Sequence, residues 1–185
     1  LDAAKAAAGL CHAPLPAGEY QRGADIPASR TPFLAAPTTA GTGSEATTVS
    51  VLTDGGRKLK KSIRHPSHMA RATVLDAGVL RTCPAHVVAA SGLDALTQAI
   101  ESYVSKHATW ISDTVALRAA AMISRELPAV HAAWQPEAAQ SLLEGSYLAG
   151  VALSNARLGL VHGLAHPLGA RFGVPHGLAC AVCLP

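Results

Sequence analysis

The stretch that organises this chain lies near its C-terminal end, where residues 159–177 read GLVHGLAHPLGARFGVPHG. It holds three of the nine histidines, His162, His166 and His176. Because His162 and His166 are four residues apart, a helix through this apolar run places both imidazoles on one face, one turn apart. The arrangement suits a metal ion held by two side chains from neighbouring helices, with a third imidazole left free to act.

The second half of the same stretch is rich in residues that end helices and form turns. We expect Pro167 to end the helix, because proline cannot donate the next backbone hydrogen bond. Gly169, Gly173 and Pro175 then favour a turn that returns His176 to the first two histidines. The alternative is that all three are ordinary histidines of a helix end and a turn.

A second signal lies in residues 89–101, which read AASGLDALTQAIE. Asp94 interrupts an otherwise apolar helical pattern, and a buried carboxylate is unfavourable unless it is paired or bound to a cation. Gln98 lies one turn further on the same face, and Glu101 falls near it. Asp94 with His162 and His176 would give an oxygen and two nitrogens, a set that suits Zn or Fe(II) with positions open for substrate. An Asp that hydrogen-bonds within its own helix is the alternative.

A third signal is the small-residue loop at residues 38–44, TTAGTGS, which follows a predicted strand. Gly41 and Gly43 permit close approach of a backbone, and the hydroxyl groups can donate to a phosphate or a carboxamide. The loop is neither a Walker motif nor a GxGxxG motif. Taken alone, it could also be an ordinary loop.

Composition excludes several functional classes. The 185 residues are 49% hydrophobic and 15% charged, with a formal charge of +3, which is typical of a folded domain without a basic face for nucleic acid. No apolar run reaches about 18 residues, so no membrane span is predicted, and we find no secretory signal. The four cysteines predict free thiols and a cytoplasmic location. Cys180 and Cys183 have CxxC spacing, but their apolar surroundings favour buried thiols over a redox or zinc site.

The pattern of elements changes near residue 83. Strands are predicted at residues 33–36, 46–53, 59–63 and 72–75. Helices are predicted at residues 1–10, 85–104, 113–127, 136–153 and 156–166, with Ser112 as the N-cap of the third. Residues 11–30 are predicted to be loop. We therefore predict an α/β part at residues 1–82 and an all-helical part at residues 83–185, with a cleft between them.

Three motifs together resemble the iron-containing, group III alcohol dehydrogenase family: PTTAGTGSEAT at 37–47, SGLDALTQAIESYVS at 91–105 and NARLGLVHGLAHPLGARFGVPHG at 155–177. The resemblance covers essentially the whole chain. It implies a partial dinucleotide-binding α/β domain followed by a helical domain of the dehydroquinate synthase-like type. It also implies NAD(P)-dependent hydride transfer between an alcohol and an aldehyde or ketone, assisted by a divalent metal, Fe or Zn.

The resemblance assigns roles residue by residue. The implied metal ligands are Asp94, His162 and His176. The implied catalytic group, near the nicotinamide and the substrate, is His166. The implied cofactor contacts are Asp2, Thr38, Thr39, Thr42 and Lys60. The implied partner is a small alcohol or aldehyde, without nucleic acid or membrane, and a homo-oligomer is left open.

One departure from the family pattern concerns position 98. The family has a second metal-binding histidine there, and this chain has Gln98, whose neutral amide oxygen is a weaker ligand. We expect looser metal binding, with water or Gln98 in the remaining position. Gln98 supports one alternative, a non-catalytic, metal-free paralogue. The fold leaves a second alternative open, a lyase or synthase of the dehydroquinate synthase-like type, although its loop motif differs from residues 38–45.

Both ends of the sequence lie inside apparent elements. The chain opens on LDAAKAAAGL, the body of a helix, and closes in an apolar run. We expect an internal piece of a longer protein, lacking the GGGS pyrophosphate loop that precedes Asp2 in the family. Such a fragment should show little or no activity on its own.

Overall fold

The computed structural model describes residues 1–57 and 59–184 and leaves out the side chain of Leu59; Lys58 and Pro185 lie outside the described residues. The helices are α1 Asp2–Leu10, α2 Ala17–Arg22, α3 Ala85–Tyr103, α4 Trp110–Ala132, α5 Pro136–Ala156, α6 Leu160–Phe172 and α7 His176–Cys183. The strands are β1 Leu34–Ala35, β2 Val49–Asp54, β3 Leu59–Arg64 and β4 Ala72–Thr73. Short 3-10 turns occupy Ser44–Ala46, Pro66–His68 and Ala77–Leu80.

The N-terminal part contains two small sheets. β2 and β3 form an antiparallel hairpin in which Val49 lies opposite Arg64. β1 and β4 form a parallel pair in which Leu34 lies opposite Ala72. All four predicted strands are present, but β2 begins later than predicted because Ser44–Ala46 forms a 3-10 turn first. An α/β part followed by helices is thus the architecture that the sequence predicted.

The core of the C-terminal part is formed by α3, α4 and α5, which pack against one another. Their inward faces carry small and branched apolar residues, including Ala95, Ala119, Ile123, Leu142, Leu143 and Ala149. Many of these positions are alanine, and Gly145 of α5 lies directly against Ile123 of α4. Such small residues let the helix axes approach closely. α7 packs across α3, and α6 packs on α7 around Ala165 and Cys180.

Two predictions about local structure are wrong. Residues 11–30 are not all loop, because α2 forms between Pro16 and Gly23 and buries Tyr20. Gly23 has a φ of 112°, the left-handed conformation that commonly ends a helix. Ser112 is not an N-cap: α4 begins earlier, with Thr109 as the cap, and Ser112 is the third residue of the helix, which completes a capping box with Thr109.

The prediction that Pro167 ends its helix is also wrong. α6 begins at Leu160 and continues through Pro167 to Phe172. Proline removes only one hydrogen bond of a helix, and here the residues on both sides remain packed, with Ala165 fully buried against α7. The helix ends instead at Gly173, whose φ is 69°.

Among the described residues, none of the helices combines the length and the hydropathy needed to cross a membrane.

Candidate metal and cofactor site

Three helices bring the predicted metal ligands together. α3 supplies Asp94, α6 supplies His162, and α7 supplies His176 as its first residue. Oδ1 of Asp94 lies 3.2 Å from Nε2 of His162 and 3.7 Å from Nε2 of His176. Asp94 and His162 are almost completely buried. Residues separated by up to 82 positions in the sequence therefore present one oxygen and two nitrogens to a common point.

The close contact between α7 and α3 depends on Gly177. A Cβ atom at this position would lie 2.1 Å from the carbonyl oxygen of Ala90 on α3. No side chain fits there without moving one of the helices. Gly177 thus permits the approach that places His176 beside Asp94.

The structure adds Cys180 to this group. This residue was predicted to be a buried thiol without a role in the site. Its Sγ lies 3.8 Å from Nε2 of His162 and 3.8 Å from Nε2 of His176. The nearest potential ligand atoms of Asp94, His162, His176 and Cys180 all lie within 4.8 Å of one another. The signal that could have found Cys180 is its spacing of four residues from His176, which puts both on one face of a helix.

Glu101 holds His162 from the opposite side. Its Oε2 lies 2.5 Å from Nδ1 of the imidazole, and its Oε1 accepts a hydrogen bond of 2.7 Å from the backbone N–H of Val161. One carboxylate therefore fixes both the ring and the first turn of α6. A carboxylate behind a histidine in this way orients the ring and leaves the other nitrogen free to bind a metal.

The electrostatics of the site favour a cation between the carboxylates of Asp94 and Glu101. Burial opposes the charged form of His162, but hydrogen bonds with Asp94, Cys180 and Glu101 raise its pKa to about 11. Burial also opposes the charged form of Asp94, but the hydrogen bond with His162 and the nearby His176 hold its pKa below the usual range. The proton on His162 thus occupies the place where a divalent ion would supply positive charge.

The other two histidines are neutral near pH 7. Burial, opposed by Asp94 but reinforced by Lys60, lowers the pKa of His176 to about 4. Burial and Lys60 also lower the pKa of His166. The rings of His166 and His176 are stacked, with centroids 5.1 Å apart and planes 16° apart. Neutral imidazole is the form that binds a metal or accepts a proton.

Gln98 faces the same space. Its side chain is only 3% exposed, and its Oε1 has no hydrogen-bond partner among the described residues. An unpaired buried oxygen is unfavourable by about 1–3 kcal/mol, so a cation or a bound water would satisfy it. The donor set, the paired carboxylates and this oxygen together fit a divalent metal.

The site opens into a cavity of about 460 Å³ between the hairpin and the helices. Its wall includes most of the predicted site residues: Asp2, Thr42, Lys60, Asp94, Gln98, His162, His166 and His176. Thr38 is exposed and Thr39 half-buried, and neither forms part of this wall. The predicted cofactor role of these two threonines stays a prediction.

Asp2 and Lys5 of α1 hold the loop that leads into β2. Asp2 accepts hydrogen bonds from the hydroxyl of Ser44 and from the backbone N–H of Val51, the latter at 2.8 Å. Lys5 is completely buried and donates to the carbonyls of Ser44, Thr47 and Val49. Burial, partly offset by Asp2, lowers the pKa of Lys5 to about 8. Lys5 was not predicted as a site residue, although a lysine three residues after Asp2 in an alanine-rich helix was a usable signal.

The glycine in the middle of this loop serves helix packing. Gly43 has a φ of 57°, and a Cβ atom there would lie 2.4 Å from Cα of Gly150 on α5. The expected close approach of the Gly43 backbone is thus an approach to a helix of the same chain. The backbone of Gly43 therefore packs directly on α5. The exposed side chain of the neighbouring Thr42 lines the cavity.

Two protein-family models match this chain, one in its N-terminal part and one in its C-terminal part. Residues 88–185 match the model described as "Fe-containing alcohol dehydrogenase family, C-terminal". Residues 1–77 match the model described as "Iron-containing alcohol dehydrogenase". The chain belongs to the iron-containing alcohol dehydrogenase family. The resemblance inferred from the three motifs is confirmed.

Individual proteins are also similar along the whole chain. The probable alcohol dehydrogenase EutG of Escherichia coli K12 is 44% identical over 100% of this chain and 47% of its own length. The crystal structure of sulfoacetaldehyde reductase from Bifidobacterium kashiwanohense, in complex with NAD+, matches with a TM-score of 0.94 and 34% identity, over 99% of this chain and 49% of that one. The iron-containing alcohol dehydrogenase of Thermococcus thioreducens matches with a TM-score of 0.88 and 37% identity, over 98% and 48%. The chain spans about half the length of the curated relatives it matches.

Proposed function

We propose that this chain carries the metal site and part of the cofactor site of an NAD(P)-dependent alcohol dehydrogenase, which transfers hydride between an alcohol and an aldehyde or ketone. The observation that carries the proposal is the convergence of Asp94, His162 and His176 at a cavity that Lys60 and Thr42 also line. Membership of the iron-containing alcohol dehydrogenase family supports the same reaction class.

The proposed metal ligands are Asp94, His162 and His176. A divalent ion bound there supplies Lewis-acid chemistry, which polarises the oxygen of the substrate. Asp94 contributes the negative charge, and Glu101 keeps His162 oriented with Nε2 toward the ion site. The buried oxygen of Gln98 faces the same space as a neutral group.

The proposed cofactor contacts are Asp2, Thr42 and Lys60, together with the predicted Thr38 and Thr39. Asp2 fixes the Ser44 hydroxyl and so shapes the loop that carries Thr42. Lys60 brings a positive charge from β3 to the same cavity, where it suits the pyrophosphate or ribose of a dinucleotide. The NAD+ in the similar sulfoacetaldehyde reductase supports a dinucleotide here.

His166 is the proposed proton-transferring residue. It lines the cavity one turn after His162 and stacks on His176. Its lowered pKa keeps the ring neutral, so it can accept the proton released when an alcohol is oxidised. A proton accepted in this cavity leaves the buried carboxylate of Asp94 free for the metal.

The substrate, the division of the chain into two parts, the location and the oligomeric state stay predictions. A small alcohol or aldehyde as substrate is supported by the names of the similar enzymes. The division at residues 82 and 83 agrees with the gap between the matched ranges 1–77 and 88–185. A cytoplasmic location is based on four free cysteines. A homo-oligomer also stays a prediction.

The test uses protein expressed from the complete gene and reconstituted separately with Zn(II) and Fe(II). Absorbance of the reduced nicotinamide is followed with NAD+ or NADP+ and a series of short alcohols, and in reverse with the aldehydes. We expect turnover in the wild type and in the exposed control Asp25→Ala, and none in Asp94→Ala. No cofactor reduction or oxidation with any substrate, at full metal loading, would overturn the proposal. A product formed without net change of the cofactor would instead support the lyase alternative.

A further inference from the structure

We propose that Cys180 is a fourth metal ligand, so that the site is an O,N,N,S set of Asp94, His162, His176 and Cys180 that selects zinc over iron(II). The inference rests on the metal site of the proposed function and goes further by assigning a ligand and a metal. It is carried by the position of the Cys180 thiol, which is fully buried in the group formed by the other three residues.

The placement of Cys180 follows from α7. His176 is the first residue of this helix, and Cys180 lies one turn later on the same face. The contact of Gly177 with Ala90 presses that face onto α3, where Asp94 lies. Both side chains of α7 therefore point to Asp94 from one helix, as paired ligands at i and i+4 commonly do.

The distances between donor atoms fit one tetrahedral ion. Ligands at about 2.0–2.3 Å from zinc stand roughly 3.3–3.6 Å apart in a tetrahedron. Sγ of Cys180 is 3.8 Å from each of the two histidine Nε2 atoms, and Oδ1 of Asp94 is 3.2 and 3.7 Å from them. The remaining pairs of donor atoms lie within 4.8 Å of one another, so shifts of up to about 1 Å would close the set around an ion.

Cys180 and Gln98 differ in their access to the cavity. Gln98 forms part of the cavity wall together with His162 and His176, whereas Cys180 does not. Cys180 is instead enclosed among apolar residues between α6 and α7, in a cluster with Ala165 and Ala179. The thiol would thus bind from the side away from the cavity, and a substrate oxygen on the side of Gln98 would add as a fifth ligand, an expansion that zinc permits.

The chemistry of the set favours zinc. Thiolate is a soft ligand that favours zinc over harder ions, and imidazole suits zinc as well. The charges of Asp94 and a Cys180 thiolate together balance a divalent cation, which reduces the unfavourable burial of all of them. A neutral amide at position 98 adds no charge, so Cys180 supplies the anionic donor strength that Gln98 lacks.

The test uses protein expressed from the complete gene, stripped with a chelator and titrated with Co(II), which replaces zinc and reports its ligands by colour. A cobalt–thiolate bond gives a near-ultraviolet charge-transfer band. We expect this band in the wild type and in Cys183→Ser, the matched control from the same CxxC, and its loss in Cys180→Ser. In competition between Zn(II) and Fe(II), the preference for zinc should fall by about tenfold or more in Cys180→Ser.

The outcomes separate this inference from the proposed function. Cobalt bound at one equivalent without the band in the wild type, or with the band retained in Cys180→Ser, would overturn Cys180 as a ligand and leave the metal site intact. No cobalt bound by the wild type would overturn both. If Cys180→Ser fails to fold, the wild-type spectrum and Cys183→Ser still decide the question.

Discussion

Glu101 and His162 form a clamp at the base of the metal site, with Oε2 of Glu101 2.5 Å from Nδ1 of the imidazole. The same carboxylate accepts a hydrogen bond from the backbone of Val161. Burial opposes the charged form of Glu101, but its hydrogen bond with His162 lowers its pKa, so it stays ionised at neutral pH. The clamp thus links the orientation of a metal ligand to the first turn of α6.

Replacing Glu101 with Gln should weaken metal binding without removing any metal ligand. The amide orients His162 less strongly and makes its nitrogen a poorer donor, so we expect a loss of about 10- to 100-fold in zinc affinity. Competition with a chromophoric chelator measures this directly. The exposed substitution Glu137→Gln on α5 is the control, and equal affinities in the two variants would contradict the role of the clamp.

Replacing Gly177 with Ala should damage the site through the helix contact. The added methyl group would lie 2.1 Å from the carbonyl oxygen of Ala90 and would push α7 away from α3. We expect destabilisation of about 1–3 kcal/mol in thermal or urea unfolding, together with reduced metal content. Gly163→Ala on α6 is the matched control, because a Cβ at Gly163 would meet nothing within 4 Å. Metal binding by Gly177→Ala at the level of this control would show that the contact is not required.

His166 should affect turnover without affecting metal content. Since it is proposed to accept a proton, His166→Asn should lower kcat by about 10²- to 10⁴-fold. Elemental analysis should still find the metal at the wild-type level. A kcat close to the wild-type value across the pH range would exclude His166 from proton transfer.

The metal-free protein should lose stability at alkaline pH through His162. The pKa of this group is raised from 6.5 to about 11 in the folded state. Its contribution is therefore complete below about pH 6.5 and is lost as the pH rises through about 11. After chelation, the stability advantage of the wild type over His162→Gln should shrink between pH 7 and pH 10 in thermal unfolding. The exposed variant His86→Gln should keep a constant difference from the wild type, and a constant difference for His162→Gln as well would refute the linkage.

Arg157 occupies a strained backbone conformation at the edge of the cavity. Its φ and ψ are 67° and −172°, a region almost restricted to glycine, and it is the one non-glycine residue with positive φ among residues 1–57 and 59–184. Arg157→Gly should raise the free energy of unfolding by about 1 kcal/mol. Arg157→Ala removes the same side chain but keeps the Cβ atom, so it should bring no such gain. Equal stabilities of the two variants in urea unfolding would argue against strain.

The parts of the site that the sequence predicted are those set by local periodicity. His162 and His166 lie one turn apart because α6 is helical, and a carboxylate in an apolar helix marked Asp94 as a cation ligand. The return of His176 followed from the turn residues, although the helix ends at Gly173 and not at Pro167. Packing against α7 keeps α6 helical beyond Pro167. A local sequence pattern does not predict such packing.

The parts that the sequence did not predict depend on tertiary contacts. The CxxC spacing drew attention to Cys180 with Cys183, whereas the contact that matters is between Cys180 and the histidines of two helices. Lys5 was overlooked because its carbonyl partners lie about 40 residues away in the loop before β2. Gly43 was expected to permit the close approach of a backbone, and the backbone that approaches it is that of α5. In each case, the partner is fixed by helix packing, which local pattern does not determine.

The most direct measurement is the metal content of the protein expressed from the complete gene, after extensive dialysis without chelator. The account predicts close to one divalent ion per chain in the wild type and almost none in Asp94→Ala or His176→Ala. A wild-type protein without metal, even after reconstitution with Fe(II) and Zn(II), would contradict it. The convergence of Asp94, His162 and His176 would then serve a metal-free or non-catalytic relative of the dehydrogenases.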